Sequence, residues 1–118
     1  MSRSFLTEQE LALGCARNER DAQGELYARY AAGLYALSLR YIENREEARD
    51  LMHDAMIKAM DNFKSFKYAG EGSIWAWLSR ITVNMAVDRL RKSLLNSPER
   101  KRLVQLKDKM KTQKALII

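Results

Sequence analysis

A single proline, at position 98, and apolar side chains recurring at three- and four-residue steps through most of the preceding chain point this sequence toward helices. Proline and glycine supply tight turns, and one proline with five glycines is too little material for a turn-rich β-sandwich. The chain has 118 residues, 47% of them apolar and 31% charged, which is the length and composition of one globular domain. A two-domain enzyme with a cleft between lobes is therefore disfavoured.

Thr7 followed by Glu10 forms a capping-box signature that opens a short helix over about residues 8–18, carrying Leu11, Leu13 and Cys15. Asp21 is expected to cap a second helix running to about Ile42, with Tyr27, Tyr30, Leu34, Leu37 and Tyr41 as its core stripe. Asn44 caps a third, with Glu46, Glu47 and Asp50 near its start, where the helix dipole favours anions. Its stripe is Ala48, Leu51, Met52, Ala55, Ala59, Met60 and Phe63, and it ends near Lys64. Residues 65–72 read as the main loop, because two glycines there permit positive φ. Ser73 is expected to cap a fourth helix whose core face, Ile74, Trp77, Leu78, Ile81 and Met85, extends toward Leu90 or Leu94. Asn96-Ser97-Pro98 then breaks the pattern. The expected fold is all-α: a compact bundle of four principal helices over residues 1–96, followed by a basic C-terminal extension, residues 97–118. In that extension Arg100, Lys101, Arg102, Lys107, Lys109, Lys111 and Lys114 surround Leu103, Leu106 and Met110, which reads as a linker or the stump of something larger.

The net charge of +6 conceals an asymmetry. Residues 1–56 hold 7 basic and 10 acidic side chains, net −3, whereas residues 57–118 hold 14 and 5, net +9. The basic half suits a polyanionic partner, nucleic acid or an anionic membrane, and the competing reading is a solvated charged surface. Cys15 and His53 are the only residues of their types, so one chain cannot assemble a disulfide, a Cys/His zinc site or a Cys–His catalytic pair with a second orienting histidine. No apolar run reaches the ~18 residues that a membrane span needs, and the N-terminus has no signal-peptide core. A cytoplasmic protein with no membrane partner, no cofactor and no metal is expected.

Two surfaces then stand out. On the fourth helix Arg80, Asn84, Asp88 and Arg91 follow one another at steps of four, four and three in one drifting row, flanked by Arg89 and Lys92. Arginine and asparagine suit contacts to base edges and lysine suits phosphate, although local pairing on a solvated face would produce the same row. Beside it Phe63, Phe66, Tyr68, Trp75 and Trp77 place five of ten aromatics in fifteen residues, and Phe66, Tyr68 and Trp75 are not needed for the core stripes. With Lys64, Lys67 and Arg80 they compose a platform for unpaired bases, each stacked ring worth ~1–3 kcal/mol. The alternative is that Phe66 folds back as a lid over the end of the third helix. On the third helix Asp50, His53, Asp54 and Met56 lie largely off the core stripe with Ile57 beside them, a composition suited to protein recognition.

Residues 24–92 resemble the second region of bacterial sigma factors, most closely the extracytoplasmic-function group. The landmarks are Leu26-Tyr27-x-x-Tyr30, Arg-Glu-Glu-Ala-Arg-Asp-Leu at Arg45 to Leu51, and Phe63-x-x-Phe66. They continue with Gly72, Trp77-Leu78, Ile81, Asn84, Asp88 and Arg91. The resemblance implies a helical, non-enzymatic promoter-recognition domain that docks on the clamp helices of the RNA polymerase large subunit and opens the minus-ten element. By that likeness Asp50, Leu51, His53 and Asp54, with Ile57 alongside, bind the polymerase. Lys64, Phe66, Lys67, Tyr68, Ser73 and Trp75 meet the single-stranded non-template DNA, where the loop captures a flipped base. Arg80, Asn84, Asp88, Arg91 and Lys92 lie on the promoter-facing helix, and an anti-sigma factor is a further implied partner. Where the family commonly has Gln and Glu on the third helix this chain has His53 and Asp54, and where it has an aromatic at the start of the fourth there is Ile74, with Trp75 next to it. The helix-turn-helix that reads the minus-thirty-five element has no counterpart, so one module of a two-module protein is expected. Two other readings compete: a stand-alone helical regulator that binds duplex DNA, and a protein-interaction bundle whose basic tail is merely solubilising.

Overall fold

A computed structural model of the protein describes residues 7–95. By compactness the chain divides into Met1–Val87 and Asp88–Ile118, and the described part of the second unit is 88–95, the end of one helix. The expected extension over 97–118, with its break at Ser97-Pro98, lies outside the described residues. Four helices, α1 (Glu8–Ala16), α2 (Arg20–Tyr41), α3 (Arg45–Asp61) and α4 (Ser73–Leu95), make up the fold, and no strand occurs among the described residues. No described helix is long and apolar enough to cross a membrane.

Thr7 caps α1 as its sequence predicts, its hydroxyl accepting from the Glu10 N–H at 3.0 Å, a bond worth ~1 kcal/mol. The other end is a Schellman turn: Asn18 takes the left-handed conformation at φ 58, the Asn18 N–H donates to the Cys15 carbonyl at 3.1 Å, and the Glu19 N–H donates to Gly14 at 3.0 Å. Leu11 and Cys15 are buried, but Leu13 is 52% exposed. It lies two residues from each of them, and positions i and i+2 do not share a helix face. Burial pushes the Cys15 thiol up to about 12, with the nearby Glu19 charge adding to the effect, and the thiol donates to the Ala22 carbonyl at 3.5 Å.

Chain entry into α2 is made by the α1 turn, so Asp21 is not the cap. It sits in the first helical turn, and the N-cap position is Glu19, which makes no side-chain capping bond. The buried stripe also differs from the expected one. Ala22, Leu26, Leu34 and Ser38 are buried and Tyr30 packs against them at the same four-residue step, while Tyr27 and Tyr41 are 42% and 36% exposed. Ser38 can be buried because its hydroxyl donates to the Leu34 carbonyl at 2.8 Å.

Asn44 caps α3, accepting from the Glu47 N–H at 3.0 Å. Ala48, Leu51, Met52, Ala55 and Ala59 are buried as expected, and Met56 joins them at 2% exposure instead of lying off the stripe. Its four-residue step from Met52 keeps it on the same face, so the apolar face is wider than a narrow seam. After Asp61 a 3-10 turn, Phe63–Ser65, buries Phe63. Along α4, Ile74, Leu78, Thr82 and Ala86 are buried at four-residue steps, and the Thr82 hydroxyl donates to the Leu78 carbonyl at 2.8 Å. Leu90 and Leu94, expected to extend that face, are 39% and 48% exposed, since periodicity defines the direction of a stripe and not its length. Each fully buried Leu, Ile or Phe contributes ~1.5–3 kcal/mol.

Candidate functional site

The loop between the 3-10 turn and α4 is shaped by a few local anchors. Gly70 and Gly72 both adopt positive φ, 102° and 86°, as the glycine positions predict. Ser73 does not cap α4 in the expected way. Its hydroxyl donates to the Gly70 carbonyl at 2.6 Å and accepts from the Ala69 N–H at 3.2 Å, which closes the loop on itself. Glu8, on α1, reaches across to accept from the Gly72 N–H at 3.2 Å and, through the same oxygen, from the Tyr30 hydroxyl at 3.2 Å. Burial, then the Glu8 charge, pushes the Tyr30 hydroxyl up to about 12. The Tyr68 hydroxyl is raised too, by desolvation first and then by Glu8 and Glu71. Beside the loop lies a recess of about 550 Å³ lined by Thr7, Glu8, Gln9, Arg29, Tyr68 and Glu71.

The three aromatics left over from the core stripes have three different environments. Phe66 packs edge-on to Phe63 at a centroid distance of 5.3 Å and against Trp77 at 4.9 Å, so it is the half-buried lid on the end of α3 and not a free platform. Tyr68 is half-buried. Trp75 is 37% exposed and stacks on Tyr30 at 6.4 Å with an interplanar angle of 23°. It lies over Gly33, where an added Cβ would sit only 2.9 Å from the ring. A glycine inside a helix is costly, and here it makes the space that lets one face of the indole rest on α2 while part of it meets solvent. Lys64 and Lys67 are exposed nearby in the chain, and Arg80 and Asn84 are exposed on α4. In the second unit Asp88, Arg91 and Lys92 are exposed, and Lys92 pairs with Asp88 at 3.6 Å, a surface contact worth ~0–1 kcal/mol.

On α3, Asp50 is exposed, His53 and Asp54 are half-buried, and Ile57 is 57% exposed. Leu51 is the exception to the expected contact set: it is fully buried with Ile42, Ala48 and Ala86, so it supports this surface from below and does not present itself to a partner. His53 is held by α2, its ring stacked on Tyr27 at 5.9 Å and its Nε2 3.0 Å from the Tyr27 hydroxyl. Tyr27 thus belongs to the α3 surface. Its three-residue step to Tyr30 puts it in the expected core stripe of α2, but the buried stripe runs one residue away, through Leu26, and the tyrosine hydroxyl is the signal that favours the outer position. Glu8 and Gly33 were missed because their partners are distant in sequence.

Residues 26–94 match the family described as Sigma-70 region 2. The ECF RNA polymerase sigma factor SigM of Mycobacterium tuberculosis is 32% identical over 87 residues, covering 74% of this chain and 43% of that protein. SigW of Bacillus subtilis is 34% identical over 76 residues, covering 64% and 40%. The sigma-E factor of Haemophilus influenzae is 33% identical over 85 residues, covering 72% and 43%. The chain therefore spans 40–43% of the length of these curated relatives. No solved structure matches it.

Proposed function

This chain belongs to the sigma-70 region 2 family, in its extracytoplasmic-function branch, and from that membership we propose that it serves transcription initiation by binding core RNA polymerase and recognising and melting the promoter minus-ten element. Under this reading Asp50, His53 and Asp54, with Ile57 as an apolar anchor, meet the clamp helices of the polymerase, and Leu51 stiffens them from beneath. The loop 66–72, with Lys64, Lys67, Tyr68 and Trp75, holds the non-template single strand. Arg80 and Asn84 read bases, and Arg91 and Lys92 meet phosphates. The recognition domain is residues 1–96 and the basic residues 97–118 are a linker. An anti-sigma factor would act by covering these surfaces.

The observation that carries the proposal is the mounting of Trp75, whose ring is fixed on Tyr30 and Gly33 yet left 37% exposed next to a loop bent by two glycines. A flipped base loses a few kcal/mol of stacking, and a pre-positioned ring returns ~1–3 kcal/mol per stacked base. The recess beside Tyr68 adds polar groups against which an unstacked base can bond. No residue in this scheme performs covalent chemistry, so the reaction belongs to the polymerase.

Capture of core RNA polymerase by the immobilised chain tests the proposal. Asp50→Arg reverses a charge on the exposed face of α3 and is expected to abolish capture while the circular-dichroism melt stays near that of the wild type. Capture undiminished by Asp50→Arg would remove α3 from the interface, and a collapsed melt would make Asp50 a structural residue.

A further inference from the structure

We infer that Glu8, which lies outside the matched residues 26–94, is a positioning residue for the strand-binding surface, tying the end of the loop and the support of Trp75 to one carboxylate oxygen. The inference rests on the reading of that surface given above. The loop 66–72 has no ladder of backbone hydrogen bonds, so its shape depends on its anchors. Ser73 supplies local ones, at Gly70 and Ala69. Glu8 is the long-range anchor, 64 residues away from Gly72 in sequence. The Gly72 N–H is one of the donors that the first turn of α4 leaves unpaired within the helix, and a carboxylate there also faces the positive end of the helix dipole. The second donor, the Tyr30 hydroxyl, belongs to the ring on which Trp75 stacks. One side chain therefore links α1, α2 and the start of α4 at the point where the loop and the exposed indole meet.

The other Glu8 oxygen, Oε2, is buried without a hydrogen-bond partner among the described residues. An anchor serving stability alone would do better with that oxygen in solvent, because buried polar atoms left unsatisfied destabilise. Holding the loop at a fixed geometry gives the unsatisfied oxygen a use.

Glu8→Gln and Glu8→Asp separate geometry from charge. Glutamine keeps an acceptor at the same reach, whereas aspartate keeps the negative charge, in the first turn of α1, but is one methylene too short. With the full chain, two probes are measured: a single strand enriched by the wild type from a randomised DNA pool, and oligo-dT of the same length. Glu8→Asp is expected to lose about tenfold on the enriched strand and less than about twofold on oligo-dT, while Glu8→Gln binds both like the wild type. Without DNA, the Gly72 amide is expected to exchange about tenfold faster in Glu8→Asp and not in Glu8→Gln. Wild-type affinity and wild-type Gly72 exchange in Glu8→Asp would overturn the inference, as would Glu8→Gln behaving like Glu8→Asp. Should Glu8→Asp fail to fold, Tyr30→Phe removes one donor to the same oxygen and is expected to weaken enriched-strand binding alone. If the wild type enriches no sequence, the strand-binding reading falls, and Gly72 exchange still decides whether Glu8 positions the loop.

Discussion

Replacing Gly33 with alanine should destabilise this protein, although alanine is the better helix former. In the middle of α2 the substitution alone would gain ~0.8–1.0 kcal/mol. The new Cβ, however, would stand 2.9 Å from Trp75 Cζ3 and 3.0 Å from Cη2. Carbon atoms rest at ~3.5–4.0 Å, so the indole must retreat by roughly 0.5–1 Å. That retreat disturbs the Tyr30–Trp75 stack, worth ~0.5–1.5 kcal/mol, within an overpacking cost of ~1–3 kcal/mol. The net expectation is a loss of up to about 2 kcal/mol in the wild type. In a Trp75→Ala background the obstacle is gone, and Gly33→Ala should then stabilise by about 1 kcal/mol. The double-mutant cycle therefore predicts a coupling of about 1–3 kcal/mol. Gly24→Ala is the control, since its Cβ would meet nothing within 4 Å, and it should stabilise both backgrounds equally. Urea unfolding followed by far-ultraviolet circular dichroism resolves these differences, because 1 kcal/mol moves the midpoint by roughly 0.3–1 M. If Gly33→Ala stabilises the wild type as much as it stabilises Trp75→Ala, the indole does not rest on Gly33 and the mounting described for it is wrong.

Two further expectations concern the end of α1 and the exposed row of α4. Asn18 holds φ 58 at the end of α1, so Asn18→Val should cost ~1–2 kcal/mol, about 4–8 °C of melting temperature per kcal/mol, while Asn18→Gly should not lower the melt; equal melts for the two would refute the left-handed turn. Asn84→Ala should weaken binding to a preferred single strand without altering its salt dependence, whereas Lys92→Ala should weaken all strands alike and flatten the slope by ~0.7. Identical behaviour of the two variants would argue against base reading at Asn84.

Local chemistry made much of the fold legible in the sequence. Thr7 with Glu10, Asn44 with Glu47, and the glycines at 70 and 72 each act within a few residues, and each is found where the residue types put it. Ser38 and Thr82 misled the stripe assignment because a hydroxyl that bonds its own helix carbonyl buries like an apolar group. Met56 shows the same limit at the site: spacing tells which side of α3 a residue faces, but burial depends on how wide a face the neighbouring helices cover. The identities of Asp50, Ile57, Trp75 and Asn84 were readable as surface chemistry. What holds that surface in shape was not, because the Glu8–Gly72 bond and the Gly33–Trp75 contact join residues far apart in sequence.

Strand preference is the most direct test of the central claim, that this chain presents one surface to the polymerase and another to unpaired bases. The measurement is a titration of fluorescent single-stranded DNA enriched by the chain, and of the same sequence as duplex, each with and without core RNA polymerase. The account predicts tighter binding of the single strand than of the duplex, with a further gain when polymerase is present. Preference for duplex, unaffected by polymerase, would contradict it.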